Sequence, residues 1–142
     1  MNQKLLGAEI EPPGAGGERD LARQILELVR RRDHVSFAQL QELPGFRDGR
    51  GLAWTMAERP TIVLWCGLRT GAYRALARLC DRDVLVMEHV PVLVYVADGA
   101  LPDLPVARTL RRYKRPHWLP VAFRRGPRFD PPGPSIAERA KR

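Results

Sequence analysis

Two clusters of proline and glycine fence this chain and set how much of it can fold. Glu11-Pro12-Pro13-Gly14-Ala15-Gly16-Gly17 lies near one end, and Gly126-Pro127-Arg128-Phe129-Asp130-Pro131-Pro132-Gly133-Pro134 near the other. Proline removes backbone donors and glycine raises the entropic cost of order, so neither cluster holds a helix or strand. Residues 1–17 are therefore expected to be a flexible tail, residues 18–125 a single domain with a basic extension at 108–125, and residues 126–142 a second flexible, basic tail. Within that second tail, Ser135 and Glu138 have capping-box spacing and could start a short helix. The span between the fences is long enough for one apolar core, and it carries no internal repeat.

Inside the fences, apolar spacing places the elements. Leu21, Ile25, Leu28 and Val29 recur at helical intervals from Asp20 onward, and Arg30-Arg31-Arg32 close that helix where cations oppose its dipole. Ser36-Phe37-Ala38-Gln39 is a capping box opening a short second helix through Leu40 and Leu43, which Pro44-Gly45 ends. The stretch 45–60 reads as irregular, with one turn of helix expected over Leu52–Ala57. Thr61 to Cys66 is β-branched and apolar, a buried strand that Gly67 should break. Thr70 opens a third helix that turns Ala72, Leu76, Leu79 and Cys80 inward. Val84–Glu88 and Val92–Ala97 then read as a strand hairpin joined by His89-Val90-Pro91 and stopped by Asp98-Gly99. Trp118, Leu119, Val121 and Phe123 anchor a further edge strand, with Pro116 and Pro120 confining it to the edge. The class is α+β.

Helix, short helix, strand, third helix and hairpin, over about residues 19–98, resemble the winged-helix branch of the helix-turn-helix superfamily. The resemblance rests on element order, and above all on Thr70 to Ala97, rather than on a motif. It implies three helices with a small three-stranded antiparallel sheet, and a third helix lying in the major groove of DNA. Arg69, Tyr73, Arg74 and Arg78 would then meet phosphates or base edges. The chain departs from the pattern in the long link between the second and third helices and in an apolar hairpin tip. Arg74 and Arg78 can equally be read as the solvated face of an amphipathic helix.

Charge points the same way. Lys and Arg number 24 against 16 Asp and Glu, for a net charge of +8. That field favours nucleic acid, an anionic surface or an acidic protein. Lysine occurs only at Lys4, Lys114 and Lys141. Arginine forks onto phosphate, but the same bias arises from genome composition, so the net charge carries the argument. A second basic group follows the expected hairpin: Arg108, Arg111, Arg112, Lys114 and Arg115, interleaved with Tyr113, then Arg124, Arg125 and Arg128. Such mixing suits a nucleic-acid backbone, and the aromatic offers a stacking surface. A loop docked by its aromatics, with solvated arginines, fits this group as well.

Enzymatic signatures are lacking. No metal-ligand spacing, phosphate-binding glycine loop or nucleophile pair is visible, so no catalytic residue, metal or cofactor is assigned. Asp81, Asp83 and Glu88 are expected to balance Arg82, and Cys66 and Cys80 to behave as buried apolar groups. Trp54, Trp65 and Trp118 read as core anchors. The start of the sequence has no long apolar run, and no stretch is long enough to span a membrane. An intracellular location is expected, on the nucleoid if DNA is the partner. The leading expectation is a non-enzymatic DNA-binding regulator or accessory factor. The alternatives are a module whose basic face docks onto an acidic protein, and an RNA-binding protein using 108–125. Oligomeric state is left open.

Overall fold

The computed structural model describes residues 17–129. The expected tails, 1–17 and 126–142, lie outside the described residues except for Gly17 and 126–129, and so does the helix starting at Ser135. Ten elements run in order: α1 (Glu18–Arg32), β1 (Val35–Ser36), α2 (Phe37–Leu40), β2 (Arg47–Thr55), β3 (Ile62–Leu68), α3 (Thr70–Asp81), β4 (Leu85–His89), α4 (Val92–Asp98), β5 (His117–Trp118) and β6 (Val121–Arg125). They build two three-stranded sheets, β1-β6-β4 and β2-β3-β5. The first sheet is antiparallel throughout, whereas β5 joins the second parallel to β3.

The helices expected from apolar spacing form for the reasons the spacing gave. In α1, Leu21, Ile25, Leu28 and Val29 are buried, each worth about 2 kcal/mol of transfer free energy. Arg30, Arg31 and Arg32 occupy its last turn, and Asp33 stops it at φ 69° and ψ −55°, the centre of a γ-turn closed by the His34 N–H on the Arg32 carbonyl at 2.8 Å. At α2 the capping box is complete. Ser36 Oγ accepts from the Gln39 amide, and Gln39 Oε1 accepts from the Ser36 amide, both at 3.3 Å. In α3, Ala72, Ala75, Leu76 and Leu79 are buried, while Cys80 is only half-buried.

Four expectations are corrected. The turn of helix expected over Leu52–Ala57 is strand to Thr55, because β2 pairs with β3. Gly67 does not end β3, which runs on to Leu68 with Gly67 at φ 75°. Opposite it the register slips, so that Arg47 and Leu52 both pair with Leu68. A side chain at Gly51 would sit 2.3 Å from the Leu68 carbonyl oxygen, so that close approach demands glycine. Third, Val92–Ala97 is not the return strand of a hairpin but helix α4. Pro91 (φ −64°) precedes it, and Gly99 (φ 84°) ends it in the left-handed conformation. Valine alternation and a short helix cannot be separated by period alone, and here the flanking Pro and Gly decide. Finally, the expected edge strand divides in two: β5, next to Pro116, is at the edge of its sheet, whereas β6 is the central strand of the other, between β1 and β4. Pro120 lies between β5 and β6, and its carbonyl accepts from Val90 N–H at 3.1 Å. The protein thus has four helices and two sheets among the described residues, where three helices and one sheet were expected.

One aromatic cluster joins the two sheets. Phe37 stacks on Trp65 (5.5 Å between centroids) and meets Phe123 edge-on at 5.2 Å, while Tyr95 meets Trp118 edge-on at 4.8 Å. Tyr95, the buried residue of α4, accepts from Phe37 N–H at 3.0 Å and donates to the Val121 carbonyl. Burial raises its phenol far above the ordinary range. One hydroxyl therefore pins α4 to both α2 and β6. Beyond β6 the chain turns at Gly126, Arg128 N–H bonds the Asp83 carbonyl at 2.9 Å, and Phe129 packs against the core.

Both cysteines are free. Cys66 is exposed on β3, contrary to the expected burial. Cys80 is half-buried, and desolvation, with Asp81 adding to it, pushes its thiol up to about 11. No helix among the described residues is long and apolar enough to cross a membrane.

Candidate nucleic-acid interface

The residues expected to bind nucleic acid fall into three groups with different surroundings. On α3, Arg69 is the residue before the first turn, half-buried, its amide bonded to the Phe46 carbonyl at 2.9 Å. Tyr73 is half-buried and packs edge-on against Trp54 at 5.0 Å. Arg78 forms an ion pair at 2.7 Å with Glu18 of α1. Arg74 is half-buried, with no ion pair among the described residues. Helix α3 therefore offers fewer free contacts than its sequence implies. Its tyrosine serves packing, and one arginine is tied to the neighbouring helix.

On β6 the arginines are paired internally. Arg124 Nε donates to Glu88 Oε2 at 2.8 Å, and the other Glu88 oxygen lies 2.9 Å from His34 Nε2. Arg125 sits 3.7 Å from Asp33 and donates to the Arg30 carbonyl. The hydrogen bond from Arg124, aided by that to His34, holds the Glu88 carboxyl below its ordinary range. Glu88 therefore serves Arg124 and His34, not the Arg82 that sequence proximity assigned to it.

The third group is different. Arg108, Arg111, Arg112, Lys114 and Arg115 are all exposed, on the segment that leads to β5. That segment is held at both ends. Ala107 N–H bonds the Trp118 carbonyl at 2.7 Å, and His117 N–H bonds the Thr61 carbonyl at 2.8 Å. Midway, Tyr113 N–H bonds Thr61 Oγ1 at 3.2 Å, and the Tyr113 hydroxyl donates to the Thr109 carbonyl at 2.8 Å. The Tyr113 ring lies against His117 (3.8 Å between centroids) and under the Arg111 guanidinium at 4.6 Å. His117 Nδ1 donates to the Arg115 carbonyl at 2.8 Å, which fixes the orientation of its ring. Tyr113 is thus a strut within the loop, and its ring is already engaged rather than open to a base.

Arg108, Arg112, Lys114 and Arg115 form no ion pair among the described residues. The reason is sequential: no Asp or Glu occurs between Asp103 and Asp130. Beside Tyr113 lies a shallow concavity of about 380 Å³, lined by Val106, Arg108, Thr109, Arg111, Tyr113 and His117. Two guanidinium groups and a hydroxyl at its wall are donors suited to an anionic oxygen.

Strand β3 separates this loop from the start of α3. His117 pairs with Ile62 at one end, whereas Arg47 pairs with Leu68 at the other, next to Arg69. Six residue steps make that about 20 Å. Exposed Arg47 and Arg50 on β2, overlooked while 45–60 read as irregular, add cations at the α3 end. Their signal was the Arg47-Asp48-Gly49-Arg50 run, two cations around a single carboxylate. Among the described residues no cluster of three His, Cys, Asp or Glu could hold a metal ion.

No protein-family model, no curated protein and no solved structure matches this chain.

Proposed function

We propose that the chain is a non-enzymatic, winged-helix-like DNA-binding protein whose main contact surface is the 108–115 loop. The observation that carries the reading is five exposed cations, four of them without a partner side chain among the described residues, on a loop held at both ends and in a stretch without carboxylates. Unpaired cations displace condensed counterions from a phosphate backbone, whereas paired ones must first give up a partner. The winged-helix part draws support from the order α1, α2, α3 beside an antiparallel three-stranded sheet, β1-β6-β4, although of the strands that the resemblance implied only β4 belongs to it. Strands β2 and β3 then form an insertion between the second and third helices. Helix α4 and the basic loop form an insertion between β4 and β6, where a wing would lie. The distance of about 20 Å between loop and α3 start spans about six base pairs of duplex. The engaged Tyr113 ring favours duplex over single strands, which are bound by stacking.

Fluorescence anisotropy with nuclease-treated protein and random duplex DNA tests this. Micromolar or tighter binding is expected, falling roughly 500-fold between about 50 and about 200 mM salt for five phosphate contacts. Absence of binding at the lower salt removes the reading. Tighter binding of single strands or structured RNA would move the assignment to RNA.

A second reading, docking onto a protein, is favoured by α4. Leu93 and Val96 on this helix, and Leu101 just after it, are each more than half exposed. Apolar area of that kind is usual at protein contacts. Stoichiometric recovery of one acidic protein after nuclease treatment would support it.

A further inference from the structure

A half-open apolar cavity of about 790 Å³ lies where the β2–β3 hairpin meets α3 and β4, on a different set of residues from the basic loop. Its volume falls in the range of about 300–1,000 Å³ typical of small-molecule sites. Leu52, Trp54 and Met56 line it from the hairpin side, with Leu64 from β3, Tyr73 from α3 and Met87 from β4. Two aromatic rings give a wall that attracts flat apolar molecules, and aromatic faces also attract cations. The two methionines are unbranched and adapt their shape to an occupant.

The one charged residue in the lining is Glu58. Its carboxylate is 86% exposed and sits 3.8 Å from Arg59, a loose pair that leaves it available at the mouth. An acidic group guarding an aromatic cavity, in a chain of net charge +8, is the reverse of the molecule's general field. We propose that this cavity binds an aromatic cation. The cationic group sits near Glu58 and the rings of Trp54 and Tyr73, and the apolar body fills the space between Leu52, Leu64 and Met87. Because the walls come from both the hairpin and α3, an occupant bridges the two.

Titration of the full chain with two dyes of similar size tests this: crystal violet, an aromatic cation, and anilinonaphthalene sulfonate, an aromatic anion. Crystal violet should bind saturably with one site per chain, about tenfold or more tighter than the sulfonate binds in the cavity. Ala57→Trp at the cavity wall should weaken crystal violet about tenfold by filling space. Glu58→Gln, at an exposed position that does not threaten folding, should weaken crystal violet about fivefold and erase most of the preference. Sulfonate binding in the cavity, recognised by its loss in Ala57→Trp, as tight as or tighter than that of crystal violet overturns the proposal. So does an unchanged crystal violet affinity in Glu58→Gln, or in an Ala57→Trp protein whose thermal unfolding matches the parent.

Discussion

The arginines of α3 and β6 and those of the 108–115 loop share one chemistry but not one environment. On the regular elements, side-chain direction is fixed by the backbone, and for three of these arginines a remote part of the fold brings a carboxylate within reach. Glu18 meets Arg78, Glu88 meets Arg124, and Asp33 meets Arg125. In the loop, no neighbouring element among the described residues carries an acid to the cations, and the local sequence supplies none between Asp103 and Asp130. The difference teaches that a count of basic residues overstates a binding face wherever the fold neutralises them. Among the described residues, four cations of the loop are held in place without an ion pair.

Removing those four cations should have the largest effect. Replacing Arg108, Arg112, Lys114 and Arg115 together with Gln should weaken duplex binding about 100-fold or more at low salt. The salt slope should fall by about 3 to 4, at roughly 0.9 per lost phosphate contact. Arg74→Gln with Arg78→Gln should cost far less, because Glu18 already engages Arg78. If the helix pair costs more than the loop quadruple, α3 is the docking face and the comparison is reversed.

The frame that holds the loop can be loosened separately. Tyr95→Phe removes the hydroxyl that joins α4 to Phe37 and Val121, leaving a buried donor and acceptor unpaired. A loss of about 2 kcal/mol is expected in urea unfolding. At temperatures where the variant stays folded, duplex affinity should change little, since the loop ends are held by Thr61 and Trp118 rather than by Tyr95. A large affinity loss in folded protein would show that α4 positions the cations.

Much of the architecture could be read from the chain, and the exceptions have physical causes. Helices α1 and α3 carry apolar periods longer than two turns, and Ser36 with Gln39 forms a capping box, so these needed no tertiary information. The α4 segment could not be assigned by period, since seven residues rich in valine satisfy both a strand and a short helix. Its state is settled by Pro91, Gly99 and the remote partners of Tyr95. Strand β2 was hidden because glycine-rich Arg47–Gly51 has no strand propensity of its own and is carried by pairing with β3. For the site, the basic character of 108–115 was legible, while the pairing of Arg78, Arg124 and Arg125 was not. Their acidic partners lie tens of residues away in sequence and meet them only in the fold.

Freeing a paired cation should move the comparison slightly in the other direction. Glu18→Gln releases Arg78 without altering its position. Duplex affinity should rise about two- to threefold if Arg78 lies within reach of phosphate, in keeping with the modest worth of an exposed ion pair. No change would place α3 outside the contact surface.

The smallest effect concerns Glu88, and its sign follows from the direction of its shift. The Arg124 hydrogen bond, then that to His34, holds the folded carboxyl below the unfolded value of 4.5. A depressed acid contributes its full stabilisation above the unfolded value and loses it as pH falls through the folded one. Thermal unfolding should therefore show an acid loss beginning near pH 4.5, and Glu88→Gln should make that loss shallower without removing it, because Asp20 is lowered in the same sense by Arg23. The same variant frees Arg124 at neutral pH. If duplex affinity stays level while the acid profile flattens, Arg124 serves the fold alone, and the separation of paired strand from unpaired loop holds. A rise in affinity would extend the contact surface onto β6.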